Sequence, residues 1–308
     1  MTLYFYFLVF PGLLFAAVSG GILSWFDRKV TAWVQFRKGP PFFQPFYDFL
    51  KLLLVKETII PTQGSGAVFL MAPVIALFGA TMSAVFILLA AFGINTGFTG
   101  DVIVIFYLLN IPAISYIIGA MASGNPLASV GASREIKLII SYELTFLLVV
   151  AAVIFKAGMS ISLYDIIQAQ ADHAFIGSLS GIILFIAAIF CIQAKLGLVP
   201  FDIAEAETEI NHGSFIEYSG SAYAIILLTK YIMLFTLPAF IVVLFMGGLS
   251  VTGMGVVYSI LKIIAVVLLI TLIRNTNPRV KIKQAMRFFF IWMNLLVIIA
   301  IVLMWFGL

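Results

Sequence analysis

Long apolar runs separated by short polar stretches dominate the chain. Their spacing predicts eight membrane-crossing helices: Leu3–Phe26, then about Ala67–Ala91, Val102–Ala122, Leu138–Phe155, Ala174–Ala194, Glu217–Phe245, Gly255–Ile273 and Phe288–Leu308. Each run is close to the ~20 residues that a helix needs to cross the hydrocarbon core. A membrane β-barrel would show ~10-residue segments of alternating polarity instead. A helix also satisfies its backbone polar groups within the segment, as lipid requires. Between the first two runs, Gln44–Lys56 has a different pattern. Asp48 and Lys51 share one helical face, while Phe46, Phe49, Leu50 and Leu53 cover the other. Too short to span, it predicts an amphipathic helix lying at the membrane interface, with Pro45 in its first turn.

Composition sharpens this picture. Hydrophobic residues make up 63% of the 308 residues and charged residues 10%, whereas a soluble domain is ~45–50% apolar and ~25% charged. The expected fold is all-α: a polytopic membrane protein, one integral membrane domain over residues 1–308. The first 26 residues carry no charge. They lack the basic start and short apolar core of a cleavable signal, so the first run is expected to be retained.

Charge then orients the helices. Arg28, Lys29, Arg37, Lys38, Lys51, Lys56, Arg134, Lys137, Lys195, Arg274, Arg279, Lys281, Lys283 and Arg287 fall in the loops of one side. They are fourteen of the chain's 17 basic residues. Only Lys156 falls on the other side, and Lys230 and Lys262 lie within runs. Basic loops stay in the cytoplasm, so both termini are expected outside and the segment 195–217 inside, in the plasma membrane of a prokaryote. The net charge of +4 follows from this sidedness and does not imply nucleic acid.

The candidate chemistry gathers in Val199–Gly220, where five of the 13 acidic residues stand: Asp202, Glu205, Glu207, Glu209 and Glu217. On a helix, Asp202, Glu205 and Glu209 share a face. On an extended strand, Glu205, Glu207 and Glu209 do. Either way like charges crowd, which raises carboxylate pKa values toward the range of proton exchange. A solvated loop paired with Arg28, Lys29, Arg37, Lys38 or Arg134 is the alternative, but Phe201, Ile203, Ala204, Ala206, Ile210, Phe215 and Ile216 interleave the charges. Three further charges lie inside apolar runs: Glu143, roughly two turns from the cytoplasmic end of the fourth, Lys230 near the middle of the sixth, and Lys262 in the seventh. Each costs at least ~2.5–3.5 kcal/mol to insert. A structural ion pair, a snorkelling lysine, or an ion path would each account for them.

Other chemistry is missing. The single cysteine, Cys191, makes no disulfide or cluster site by itself, and His173 and His212 stand alone. No nucleotide-binding glycine motif occurs. No catalytic, metal or cofactor-binding residue is therefore expected on this chain.

Three stretches together resemble one family. Phe26-Asp27-Arg28-Lys29-Val30, with Gln35-Phe36-Arg37-Lys38-Gly39-Pro40 and the segment from Gln44 to Glu57, resembles the first inner loop of the membrane subunit of NuoH type in the complex I superfamily. Gly131-Ala132-Ser133-Arg134-Glu135 and Ser141-Tyr142-Glu143 are similar to a later part of that subunit, and Pro200-Phe201-Asp202 through Glu209, with Glu217-Tyr218, to its acidic loop. The short run from Gly39-Pro40 to Gln44, the wording of the acidic loop, and Lys230 where the quinone branch tends to carry a carboxylate bring it nearest to group 4 membrane-bound nickel–iron hydrogenases and related sulfane sulfur reductases.

The resemblance implies a membrane-anchoring and coupling subunit of a ferredoxin-dependent respiratory complex, itself without a redox site. The partners implied are hydrogenase-like large and small peripheral subunits, antiporter-like membrane subunits, membrane lipid and, indirectly, ferredoxin. Iron–sulfur clusters, and in a hydrogenase a nickel–iron centre, would sit on other subunits. It assigns Glu143, Asp202, Glu205, Glu207, Glu209, Glu217, Lys230 and Lys262 to proton or ion coupling. Docking of the peripheral arm falls to Arg28, Lys29, Arg37, Lys38, Asp48, Lys51, Arg134 and Glu135. The alternative is a quinone-binding subunit of an NADH–quinone-type oxidoreductase. A stand-alone transporter would need inverted repeats, which the sequence lacks. A purely structural anchor would leave Glu143, Lys230 and Lys262 without a role.

Overall fold

The apolar runs fold as helices that pack side by side. The computed structural model describes residues 2–93, 98, 100–250 and 253–307, and these form helices and connecting loops without a strand. The helices are α1 (Thr2–Leu8), α2 (Leu13–Val34), α3 (Gln44–Leu54), α4 (Gly66–Ala91), α5 (Asp101–Leu108), α6 (Ile111–Ala122), α7 (Pro126–Lys156), α8 (Leu163–Gln168), α9 (Leu179–Lys195), α10 (Glu207–Ile210), α11 (Gly220–Phe245), α12 (Met254–Thr276), α13 (Ile282–Arg287) and α14 (Asn294–Trp305). Among the described residues, seven stretches are long and apolar enough to cross a membrane, and α9 is a shorter apolar helix beside them. The chain is a multi-pass membrane protein.

Several predicted runs change shape. The first is split between α1 and α2 at Pro11, and the third between α5 and α6. There Pro112 has no N–H to give the carbonyl one turn back, so the helix breaks at Asn110. The last span passes through a wider π-helical turn, Phe288–Met293, between α13 and α14. The largest change is α7. It begins at Pro126, twelve residues before the predicted start, because the Asn125 side chain accepts from the Leu127 N–H and caps the helix, with proline in its first turn. The polar stretch Ser129–Lys137 is therefore helical. Glu143 lies in the middle of a 31-residue helix rather than near its end.

At the centre stands α11, 72% buried over its most apolar window, whereas α12 and the last span are only 33% and 28% buried and turn apolar faces outward. Small residues set the closest approach. A Cβ added at Gly20 of α2 would fall 1.9 Å from the Tyr231 carbonyl oxygen of α11, and one at Gly21 would meet the Phe46 ring of α3 at 2.8 Å. This is the small-residue packing that membrane helices rely on when apolar burial no longer distinguishes protein from lipid.

The long helices alternate direction, so the loops collect on two faces. One face carries α3, the Ala122–Pro126 turn, the acidic loop and the 277–281 link. Hydrogen bonds tie these together: Thr58 and Ser221 share one at 2.7 Å, and Val280 N–H donates to the Pro200 carbonyl at 3.1 Å. The opposite face carries the 157–178 segment and the link after α11, where the Gly247 N–H donates to Gln170. There the Leu163 N–H donates to Asp101 at 2.7 Å, and Gln170 bridges α8 to the Val243 carbonyl at 3.0 Å.

Candidate functional site: a charged chamber beneath the acidic loop

The acidic loop is neither of the two regular forms considered from sequence. Residues 199–206 are irregular, and only two short turns, the α-helical Glu207–Ile210 and the 3-10 Gly213–Phe215, are helical. Three successive left-handed residues, Asn211, His212 and Gly213, then reverse the chain. A Cβ on Gly213 would fall 2.0 Å from the Ala204 carbonyl oxygen, so the loop closes on itself there. Its floor is aromatic: the Phe201 ring lies 4.9 Å from that of Phe289, at the π-helical turn.

Beneath the loop lies a cavity of about 380 Å³, lined by α2, the α5–α6 break, α7, α9, α11, α12 and the loop itself. Four ion pairs stand in or beside it. Arg274 on α12 reaches Asp27 on α2 at 2.6 Å, where the Thr271 hydroxyl also donates. Arg279 holds Asp202 at 2.8 Å. Lys230 of α11 bonds both carboxylate oxygens of Glu205, at 2.8 and 2.7 Å, and sits 4.4 Å from the Phe215 ring centre. Deepest, Lys195 of α9 donates to Glu143 of α7 and to the Asn110 side-chain oxygen, while Asn110 donates to the other Glu143 oxygen at 2.8 Å. Glu135 also lines the chamber.

Pairing, not crowding, governs the acidic loop. Asp202, Glu205 and Glu209 turn to three different cations, Arg279, Lys230 and Arg134, because separating like charges onto partners costs less than stacking them on one face. Asp202 still keeps a trace of the expected perturbation. Burial pushes its carboxyl upward, while Arg279 opposes the shift. Arg279→Gln is therefore expected to raise the Asp202 pKa further. An infrared titration of the carboxyl band, assigned with Asp202→Asn, would measure it; an unmoved band would mean that Arg279 contributes nothing.

Comparison with known proteins follows this architecture over nearly its whole length. The family profile described as NADH dehydrogenase matches residues 7–305. The chain belongs to the NADH dehydrogenase family. Among its relatives, the NuoH-type membrane subunit of the NADH-quinone oxidoreductase from Geobacillus sp. (strain WCH70) is 36% identical over 296 residues, covering 89% of this chain and 85% of that one. The corresponding NADH-quinone oxidoreductase chain of Anoxybacillus flavithermus is 37% identical over 290 residues, covering 88% and 83%. In structure the chain is similar to one in the membrane-bound sulfane sulfur reductase, an archaeal respiratory membrane complex: TM-score 0.87, 27% identity, 98% and 99% of the two chains. It is thus a NuoH-type membrane subunit.

In this NuoH-type subunit three of the eight coupling candidates, Asp202, Glu205 and Lys230, line one chamber, and a fourth, Glu143, pairs with Lys195, which also lines it. It places others elsewhere. Glu209 pairs with Arg134 at 2.7 Å on the outer surface, with 61% of its side chain exposed. Glu217 accepts from Asn125 at the head of α7. The side chain of Glu207 lies outside the described residues. Lys262 does not sit with the mid-depth charges. Its ammonium donates to the Met246 and Gly248 carbonyls, so it snorkels to the opposite face. Nor is Lys230 a lone charge, since the acidic loop dips to meet it.

Among the docking candidates, Arg37, Lys38 and Lys51 are exposed on the loop face and Lys29 is half-buried. Arg28 and Asp48 pair with each other at 2.8 Å, joining α2 to α3. Glu135 lines the interior chamber rather than the docking surface, because the extended start of α7 turns it inward. The residues that sequence reasoning passed over are the partners: Asp27, Arg274, Arg279, Lys195 and Asn110. An asparagine two residues before a proline, deep in an apolar run, was the one signal that could have marked the break.

Proposed function

We propose that the chain is the membrane-anchoring and coupling subunit of a ferredoxin-dependent respiratory complex of the hydrogenase or sulfane reductase kind. It links redox chemistry in a peripheral arm to H⁺ or Na⁺ translocation. One observation carries this reading: the line of acid–base pairs from Glu205–Lys230 beneath the loop to Glu143–Lys195 within the bundle, around a chamber of about 380 Å³. Buried polar atoms of Ser214 and Asp202 make no hydrogen bond within the protein there. A volume of this size admits about ten waters at ~30 Å³ each, enough to join the pairs into a proton-conducting chain. Arg37, Lys38 and Lys51 offer the peripheral subunits a basic docking surface, and the apolar outer faces of α12 and the last span suit antiporter-like subunits and lipid. The loop face is cytoplasmic by its basic residues, with both termini outside the cell. Iron–sulfur clusters, and a nickel–iron centre in a hydrogenase, belong to the peripheral subunits.

Glu143→Gln and Glu205→Gln, made in the intact complex and reconstituted into vesicles, are expected to keep electron transfer but to lower ion translocation by about 10²-fold, the lower end of what a positioned proton-transfer group contributes. Unchanged translocation in both variants would overturn the reading. A second reading, a quinone-binding subunit, is favoured by the names of the bacterial relatives. Quinone reduction sensitive to quinone-site inhibitors in the purified complex would replace the first reading with it.

A further inference from the structure

The deepest ion pair has a feature that the coupling reading does not require. The Lys195 side chain is 1% exposed, at the inner wall of the chamber. Its ammonium donates to Glu143 and to the Asn110 oxygen. The ring centres of Tyr142, Phe146 and Phe106 lie 5.4, 5.4 and 5.8 Å away, within the range of a cation–π contact. Asn110 locks the arrangement by also donating to Glu143. Ser141 donates to the Leu138 carbonyl and Thr145 to Asn294, while the Tyr142 hydroxyl is buried without a hydrogen-bond partner among the described residues. The Lys195 ammonium is therefore held by a carboxylate, one amide oxygen and three aromatic faces, a setting that suits an ammonium. A metal ion such as sodium would need several oxygens.

We propose that Lys195 is the resident cation of Glu143: a specificity-determining side chain that keeps metal ions away from this carboxylate and leaves the position to protons. The inference rests on the reading of Glu143 as part of an ion path, and it deepens that reading by naming the ion that passes. The covalent tether holds the ammonium at an effective concentration in the millimolar range or above. A free cation would have to displace it, and the three aromatic faces that hold the ammonium offer a metal ion no oxygen ligand. A proton needs neither, since it moves along hydrogen bonds already in place. Without Lys195, the Glu143 charge within the bundle would be neutralised by whichever cation is at hand, a proton or a metal ion.

Carbodiimide labelling of Glu143 tests this in the purified complex, with dicyclohexylcarbodiimide as the probe and peptide mass spectrometry as the readout. The reagent modifies carboxyl groups that hold a proton, and a bound metal ion blocks it. In the unmodified complex, labelling at Glu143 is expected to be low and indifferent to sodium chloride against choline chloride. In Lys195→Gln it is expected to rise by about tenfold and to be suppressed by sodium. Lys195→Arg retains a cation and is expected to label like the parent, which separates loss of charge from loss of fold. Sodium protection in the parent, or unchanged labelling in Lys195→Gln, would overturn the proposal. Because labelling does not depend on pumping, failure of the coupling reading, seen as undiminished translocation in Glu143→Gln, remains distinguishable from failure of this one.

Discussion

Glu143→Ala is expected to destabilise the subunit by about 3–5 kcal/mol, the cost of leaving a buried charge without its partner. The Lys195 ammonium then loses its ion-pair partner, with 1% of its side chain exposed. The double variant Glu143→Ala/Lys195→Met is expected to recover most of the loss, because replacing both ends of a buried pair with apolar groups removes the desolvation cost along with the attraction. A thermal-shift series on the detergent-purified complex would read the coupling as a double-mutant cycle. Additive losses would mean that the two side chains do not depend on each other. The exposed pair Arg134–Glu209 serves as the contrast: removing either member is expected to cost about 0–1 kcal/mol, because water and salt screen it.

Gly20→Val is expected to cost about 3 kcal/mol and to release α2 from α11. The added Cβ would fall 1.9 Å from the Tyr231 carbonyl oxygen. That obstacle is helix backbone, so no rotamer change relieves the overlap. The consequence reaches the chamber, since α2 carries Asp27 and α11 carries Lys230, on facing sides of the cavity. Blue-native electrophoresis should show fragments lacking this chain where the parent complex runs intact. Gly93→Ala provides a control: no atom lies within 4 Å of its added Cβ, and only its left-handed φ of 64° resists substitution, at about 1 kcal/mol. An intact complex in Gly20→Val would mean that the two helices can separate without loss.

The helices were legible because the bilayer imposes a single rule, long apolar runs, and this chain obeys it from end to end. The amphipathic α3 was legible for the same reason, its polar and apolar faces being laid out at helical spacing. Where the reading went astray, the signal was tertiary. Lys195 closes an apolar run, as a cytoplasmic flanking lysine does, and sequence does not show that α9 ends within the protein rather than at its surface. Ser129–Lys137 looks like a loop because its charges serve the chamber and the docking face, not lipid. The acidic loop announced its importance by composition. Which cation each carboxylate takes depends on segments up to 77 positions away, as for Asp202 and Arg279 in the link after α12, and local spacing carries no information about that.

The interruption between α5 and α6 has a mechanical side. A continuous helix resists bending because each turn is stitched to the next by hydrogen bonds. Here Pro112 omits one stitch, and Asn110 spends its side chain on Glu143 and Lys195 instead of capping either half. The α5–α6 rod is therefore compliant at this break, and its soft point coincides with the buried charge pair. A push on the loop-face end of α6 would not be shared evenly along the rod. It would concentrate as a tilt at Asn110, so that a small displacement at the surface becomes a change of hydrogen-bond angle at Glu143.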